Sequence, residues 1–290
     1  MITFPIAKIN LGLNIVERRT DGYHNLETVF YPVQIKDALE LTMMNTHFPS
    51  EADCDIKVTN LNIEDDAQKL RELWSLCSEK NLVVRAYQLL KQDFPQMPRV
   101  HAHLWKGIPT QAGMGGGSSD CGYAIRLLNE MFTLGLNDEQ MIQYAARLGA
   151  DCAFFILSRP AYAEGIGEQL QLIDLDLSQY YIGIVRPNIP VSTREAFSLV
   201  KPVHPLKCCR DIVMQPVETW RNELVNDFEQ SVFALHPEIG TIKQQLYDLG
   251  AVYAAMSGSG SSVFGIFQEP ILIGEHFPKE MFTYCDRMII

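Results

Sequence analysis

The sequence predicts a protein of mixed strands and helices built as two domains, and three observations carry that reading. The chain has 290 residues, which is long enough for two domains that each bury their own core. Apolar residues recur at period two in some stretches and at helical spacing in others. Between a strand and a helix lies a stretch rich in Gly and Ser, Gln111 to Asp120 (QAGMGGGSSD), around which the remaining elements can be arranged.

Near the start, Ala7, Ile9, Leu11, Leu13 and Ile15 fall on one face of a strand, while Lys8, Asn10, Gly12 and Asn14 fall on the other. That second face gathers a cation and two amides without a carboxylate, so it is either a functional surface or a plain exposed edge. Arg18 to His24 (RRTDGYH) carries an Asp-Gly turn signal. Thr28 to Ile35 resumes a strand in which Pro32 marks an edge or bulge. Leu39 to Met43 and Asp55 to Thr59 are further short strands, and Asp65 to Lys80 reads as a charged helical insertion. Asn81 is placed to cap a helix whose apolar positions are Leu82, Val83, Ala86, Leu89, Leu90 and Phe94. Pro95 and Pro98 stop it. Val100 to Trp105 is a strand on which His101 and His103 share a face; with no third ligand nearby, a polar face is the plainer reading than a metal pair.

In the Gly/Ser stretch, glycines reach positive φ without steric cost, so successive N–H groups can converge on one point as an anion nest. Ser118 and Ser119 stand where a helix through Phe132 begins, and its N-terminal amides and dipole add to the nest. The nucleotide P-loop pattern fails because no Lys follows the glycines. The dinucleotide pattern GxGxxG fails on context, since Ile108-Pro109 separates the strand from the loop. Asn137 caps a second helix that Gly149 closes. The apolar run Ala150 to Leu157 (ADCAFFIL) contains one carboxylate, Asp151; burying it calls for a cation or a catalytic task, unless it caps a helix.

Farther on, strands Ala161 to Glu164 and Leu170 to Ile173 flank Gly165-Ile166-Gly167, and Tyr181 to Val185 is another strand. PNIPVST (187–193) leads into a helix that Ser192 or Thr193 caps and that includes Phe197. Trp220 to Phe233 and Pro237 to Leu249 read as helices. Val252 to Met256 and Val263 to Phe267 are strands joined by SGSGSS at 257–262, a second closure of the same pocket.

A net charge of −11 and a pI near 5.1 argue against nucleic-acid or membrane-surface partners. Seven scattered cysteines without a CxxC pair suggest reduced thiols in a cytoplasmic setting. The adjacent Cys208-Cys209 pair receives no role. MITFPIAKINLGL shows no targeting segment, and no apolar run reaches the ~18 residues that span a bilayer.

Three stretches coincide in order and spacing: IAKINLGLNI (6–15), IPTQAGMGGGSSD (108–120) and AAMSGSGSSVFGIF (254–267). Together they resemble the three-motif signature of the GHMP kinase superfamily. RTDGYHNLETVF (19–30), NLVVRA (81–86), LGADCAFFI (148–156) and AEGIGE (163–168) are similar to the 4-diphosphocytidyl-2-C-methyl-D-erythritol kinase family. The likeness spans essentially the whole chain, and TDGYH with AEGIGE speaks against a homoserine or mevalonate kinase. It implies a two-domain α+β fold. Residues 1–160 would form an ATP-binding domain like the second domain of ribosomal protein S5, and 161–290 a ferredoxin-like domain.

By the same likeness, Lys8 and Asp151 match the catalytic Lys and Asp. ATP would rest on Gly113, Met114, Gly115, Gly116, Gly117, Ser118 and Ser119, with Asn81 and Lys106 near the adenine. The cytidine end would stack between Tyr23 and Phe197 while His24 and the Ile166 backbone read the base edge, and Asn10 lies beside the Lys. ATP arrives with Mg²⁺ as co-substrate, Ser119 being the candidate hydroxyl near the metal, and no tightly bound cofactor is expected. Cys121-Gly122 stand where two small alanines commonly follow the motif, and a Gly there costs a helix about 1 kcal/mol.

Overall fold

A computed structural model describes residues 1–60 and 79–289. In chain order the elements begin with β1 (Ile2–Thr3), β2 (Ile6–Arg18), β3 (His24–Lys36), β4 (Ala38–Met43), β5 (Cys54–Thr59), α1 (Leu82–Asp93) and β6 (Val100–Trp105). Then come α2 (Gly116–Phe132), α3 (Asp138–Ala146), a 3₁₀ turn (Ala150–Cys152), α4 (Phe154–Leu157), β7 (Ala161–Glu164), β8 (Gln169–Leu172) and β9 (Tyr181–Arg186). The chain continues through α5 (Thr193–Ala196), α6 (Cys209–Val213), a 3₁₀ turn (Val217–Asn222), α7 (Phe228–Leu235) and α8 (Pro237–Asp248). It finishes with β10 (Tyr253–Met256), β11 (Val263–Phe267), a 3₁₀ turn (Ile273–Glu275) and β12 (Phe282–Arg287). The expected helical insertion over 65–80 lies, apart from its last two residues, outside the described part. Among the described residues no helix is long and apolar enough to cross a membrane.

The chain forms two compact units. One comprises Met1–Ala7, Ile35–Ile108 and Gly115–Ser158; the other Lys8–Gln34, Pro109–Met114 and Arg159–Ile290. The last crossing lies two residues before the expected cut after residue 160. The earlier ones fall inside β2, inside β3 and around the Gly-rich stretch.

In the first unit a sheet of order β1-β4-β6-β5 presents one apolar face to the helices. Leu39, Leu41, Val58, Val100, Ala102 and Leu104 meet Val83, Tyr87 and Leu90 of α1 and Ala124, Ile125 and Leu128 of α2 in one buried cluster. The period-two and helical spacings of the sequence thus converge on a single core. Gly122 has a packing reason. A Cβ there would stand 2.8 Å from Cβ of Phe155 and 3.1 Å from the Cys152 carbonyl, so α2 and α4 approach more closely than Ala permits.

The second unit holds two sheets, β2-β3-β7-β8 and β10-β11-β9-β12. The latter is antiparallel throughout its pairings. Val185, Ala254, Met256 and Val263 from its strands share a core with Ile239, Ile242 and Leu246 of α8 and with Leu13 and Ile15 of β2.

Three helix expectations change, and the apolar run at 150–157, given no element above, takes helical form. The nest helix begins at Gly116, two residues early. The helix after PNIPVST is a single turn, with a Ser192/Glu195 capping box and Phe197 at its end. The run Ala150 to Leu157 divides into a 3₁₀ turn and one helical turn. Trp220 to Phe233 is not one helix, because residues 223–227 leave helical geometry to pair with β2. Leu13 N–H donates to Val225 O at 2.8 Å, Asp227 N–H to Leu13 O at 2.9 Å, and Ile15 N–H to the Asp227 carboxylate at 2.7 Å. Those bonds take the place of helical ones over this segment.

Candidate active site

Strand β2 is buried on both faces, so the polar residues at alternate positions are not a solvent face. Lys8 Nζ donates to Asn10 Oδ1 at 2.5 Å and to Gly113 O at 3.1 Å, and it lies 5.1 Å from the centre of the Phe30 ring. Asn10 Nδ2 donates to Thr28 Oγ1 at 2.9 Å, and Thr28 passes its own proton to Gly12 O at 2.5 Å. Lys8 and Asn10 are thereby both met, which holds their rotamers. Thr28 escaped the sequence reading because a lone Thr in a β-rich run carries no signal.

Gly113 sits at φ +71°, and a Cβ there would stand 1.9 Å from the Ser257 carbonyl oxygen, so only Gly fits. Its carbonyl also accepts the Ser257 hydroxyl at 2.9 Å. Lys8 N–H donates to Met114 O at 3.0 Å, and Ser262 N–H to Ala112 O at 3.3 Å. Parts of all three motif stretches, within 8–15, 109–114 and 254–267, are therefore stitched together in the second unit. Asn226, unforeseen from sequence, holds the last of them by donating to Met256 O at 2.7 Å and Gly258 O at 2.9 Å.

In the first unit, α2 starts behind Gly115, which is left-handed and offers no side-chain cap. Its neighbours are capped: Asn81 accepts Val83 N–H at 2.8 Å ahead of α1, and Asn137 forms a capping box with Gln140 on α3. The first turn of α2, over Gly116, Gly117 and Ser118, thus has no side-chain cap at the positive end of the helix. Ser119 is fully buried and donates to Ile6 O at 2.7 Å. A metal arriving from solvent does not meet that hydroxyl, and Ser119 is not a metal ligand here. Among the described residues no group of three or more His, Cys, Asp or Glu is arranged to hold a metal.

Lys106, expected near the adenine, turns its side chain inward. It is 4% exposed, and its ammonium lies between the carboxylates of Asp37 and Asp120, the latter at 2.7 Å. Asp37 also accepts Gly107 N–H at 2.7 Å and Ile108 N–H at 2.8 Å. The pair of acids braces the strand end of β6 against the start of α2. Asp120 was legible as the close of the SSD motif, whereas Asp37 had no signal. Asp151 occupies the half-buried 3₁₀ turn ahead of α4.

The second unit brings His24 and Phe197 together, their rings stacked 4.6 Å apart at 22°, and Phe228 meets Phe197 edge-on at 4.8 Å. Tyr23 is 61% exposed in a turn shaped by Asp21, which accepts its N–H at 3.1 Å. One face of Phe197 is therefore already covered by His24. Burial, then the Arg18 charge, lowers the His24 pKa below its ordinary value, so at neutral pH the ring keeps one donor and one acceptor nitrogen. Ile166 N–H is taken by Glu168 Oε2 at 2.7 Å.

The class follows from comparison with known families: residues 81–159 match the GHMP kinases N terminal domain and residues 215–275 the GHMP kinases C terminal. A 4-diphosphocytidyl-2-C-methyl-D-erythritol kinase of Bacteroides fragilis is 52% identical over 286 residues, 99% of this chain and 96% of that one. Its namesake from Cytophaga hutchinsonii is 44% identical, covering 92% of each chain. A crystal structure of a 4-(cytidine 5'-diphospho)-2C-methyl-D-erythritol kinase superposes with a TM-score of 0.73 at 29% identity, over 92% of this chain and 90% of that one. The Methanococcus jannaschii mevalonate kinase shares the fold, with a TM-score of 0.64 at 12% identity over 100% and 98% of the two chains. The chain belongs to the 4-diphosphocytidyl-2-C-methyl-D-erythritol kinase family and is a small-molecule kinase of the two-domain α+β GHMP fold.

Proposed function

We propose that this kinase transfers the γ-phosphoryl group of ATP to the 2-hydroxyl of 4-diphosphocytidyl-2-C-methyl-D-erythritol, a step of the non-mevalonate isoprenoid route. The observation that carries the nucleotide half is the start of α2, uncapped behind a left-handed glycine. The substrate half draws on the names of the relatives. Residues 1–160 serve the nucleotide, through Gly113 to Ser119 and the adenine-side stretch at Asn81 and Lys106, and 161–290 complete the protein.

Phosphoryl transfer asks a protein to position groups and neutralise charge. Asp151 accepts the proton of the attacking hydroxyl. Lys8, held by Asn10 and the Gly113 carbonyl, offsets the negative charge of the transferred group. Tyr23 and Phe197 supply stacking surface, and neutral His24 with the Ile166 carbonyl reads the base edge. Magnesium enters bound to ATP and shares the neutralisation.

The test is ADP release against a panel of acceptors. Turnover is expected with 4-diphosphocytidyl-2-C-methyl-D-erythritol and not with homoserine or mevalonate; faster turnover of either would overturn the substrate assignment. Tyr23→Ala should weaken binding of the cytidine substrate by about 1 to 3 kcal/mol, the range for stacking a base on an aromatic ring, with ATP affinity and stability unchanged in calorimetry. Phe197→Ala should show the same affinity loss together with a lower Tm, since that ring also packs on Phe228.

A further inference from the structure

Lys106, Asp37 and Asp120 bring one positive and two potentially negative groups into a site where none of the three residues is more than 4% exposed. With both acids ionised, the cluster would carry an uncompensated negative charge out of water, the costly case for buried ions. The two carboxyls are not equivalent. Asp37 Oδ1 receives two backbone N–H groups and its Oδ2 the ammonium, a full set of donors for a carboxylate. Asp120 Oδ2 receives the ammonium at 2.7 Å, but its buried Oδ1 has no partner. Both carboxyls meet the same ammonium, so one proton on Asp120 balances the cluster.

The site also lies against the nest. Asp120 is the fifth residue of α2, and a Cβ on Gly116 would stand 3.4 Å from Lys106 Nζ. From these positions we infer that Asp120 holds a proton at neutral pH and is the positioning residue that keeps the ground beneath the nest uncharged. Its ionisation in mildly alkaline solution then weakens nucleotide binding. The nucleotide half of this inference rests on the proposed phosphate role of the nest; the protonation half does not.

Burial is the leading cause acting on Asp120 and, although Lys106 opposes it, lifts the carboxyl to about 8. Burial likewise works against the Lys106 charge, and Asp120 and Asp37 overcome it, holding that pKa above the ordinary value. The charged groups facing Asp120 are Lys106 at the end of β6 and Asp37 between β3 and β4. Next to it on α2, Cys121 stays a neutral thiol, raised first by its hydrogen bond to Cys152; Arg85 of α1 acts on both thiols. The sign is fixed by linkage. A carboxyl whose pKa is higher folded than unfolded binds its proton preferentially in the folded state, so it makes stability fall as pH rises from about 4 to about 8.

The decisive measurement is a pH titration of protein labelled with ¹³C at aspartate Cγ, the Asp120 signal being assigned by its loss in Asp120→Asn. A protonated shift near pH 7 that moves between about pH 7 and 9 is expected. Asp37→Asn, which removes the competing charge, should bring that titration below neutrality. An Asp120 signal already ionised at pH 6 overturns the inference. In parallel, calorimetric Kd for MgATP should rise about tenfold between pH 7.5 and 9.5 in the native protein and less than about twofold in Asp120→Asn; equal slopes overturn the nucleotide half. Should MgATP bind neither protein at any pH, the phosphate reading of the nest falls with it, and the carbon titration still decides the protonation of Asp120.

Discussion

Strands β2 and β6 both carry polar residues at alternate positions, Lys8, Asn10 and Asn14 on one and His101 and His103 on the other, yet they end in opposite environments. On β2 the polar face is buried, and Lys8 and Asn10 answer one another and the Gly113 carbonyl. On β6 the second face looks outward. His101 lies 3.3 Å from the Asp55 carboxylate and His103 3.0 Å from the Thr59 hydroxyl, in exposed or half-exposed surroundings. Alternation alone therefore says where a strand is and nothing about what its second face does. What separates the two is whether the fold covers the polar groups, because covered groups need partners and an energetic reason to be there.

The strongest way to break the contrast is to remove chemistry from β2. Lys8→Met should lower turnover by about 10² to 10³ or more, through lost electrostatic stabilisation. Asp151→Asn, similar in size but unable to take a proton, should lower it by about 10² to 10⁴. If the two residues act as a unit, the double variant should be hardly slower than the worse single in single-turnover assays, since losses within a catalytic unit do not multiply. Near-native transfer by Asp151→Asn would make that carboxylate a structural cap.

Next in size comes Asn10→Leu, which leaves Lys8 and Thr28 each short of a buried partner. Thermal unfolding should report about 1 to 3 kcal/mol of lost stability. A loss as small as that of a surface exchange would place the network outside the folding energetics. The smallest effect is expected from His103→Ala on β6, within about 0.5 kcal/mol and with no kinetic change. A clear fall in turnover there would erase the distinction between the two faces.

Much of the architecture was legible because it depends on local rules. The β6 limits follow from period two. The starts of α1 and α3 follow from Asn81 and Asn137, whose caps form as their chemistry dictates. What escaped depends on distant partners. The break at residues 223–227 exists because β2 competes for those N–H groups, and no window around Trp220 contains β2. Strand β12 (FTYCDR) lacks a clean alternation and is a strand because it pairs with β9. In the same way Lys106 reads as a cation on offer until Asp37, 69 residues earlier, is placed beside it. Gly122 reads as a weakness in α2 until Phe155 is seen against it.

The pairing of residues 225–227 with β2 has a consequence in time. Asn14 and Asp227 are 213 residues apart, and a ribosome adding roughly 5 to 20 residues per second needs about 10 to 40 s to cover that distance. Throughout that interval the strand bearing Lys8 and Asn10 lacks the segment that occupies its free N–H and C=O groups, and an unpaired strand edge is a template for other chains. The newborn protein thus passes through a period in which this strand offers an open edge to other chains, and a message cut short before codon 225 leaves it in that state permanently.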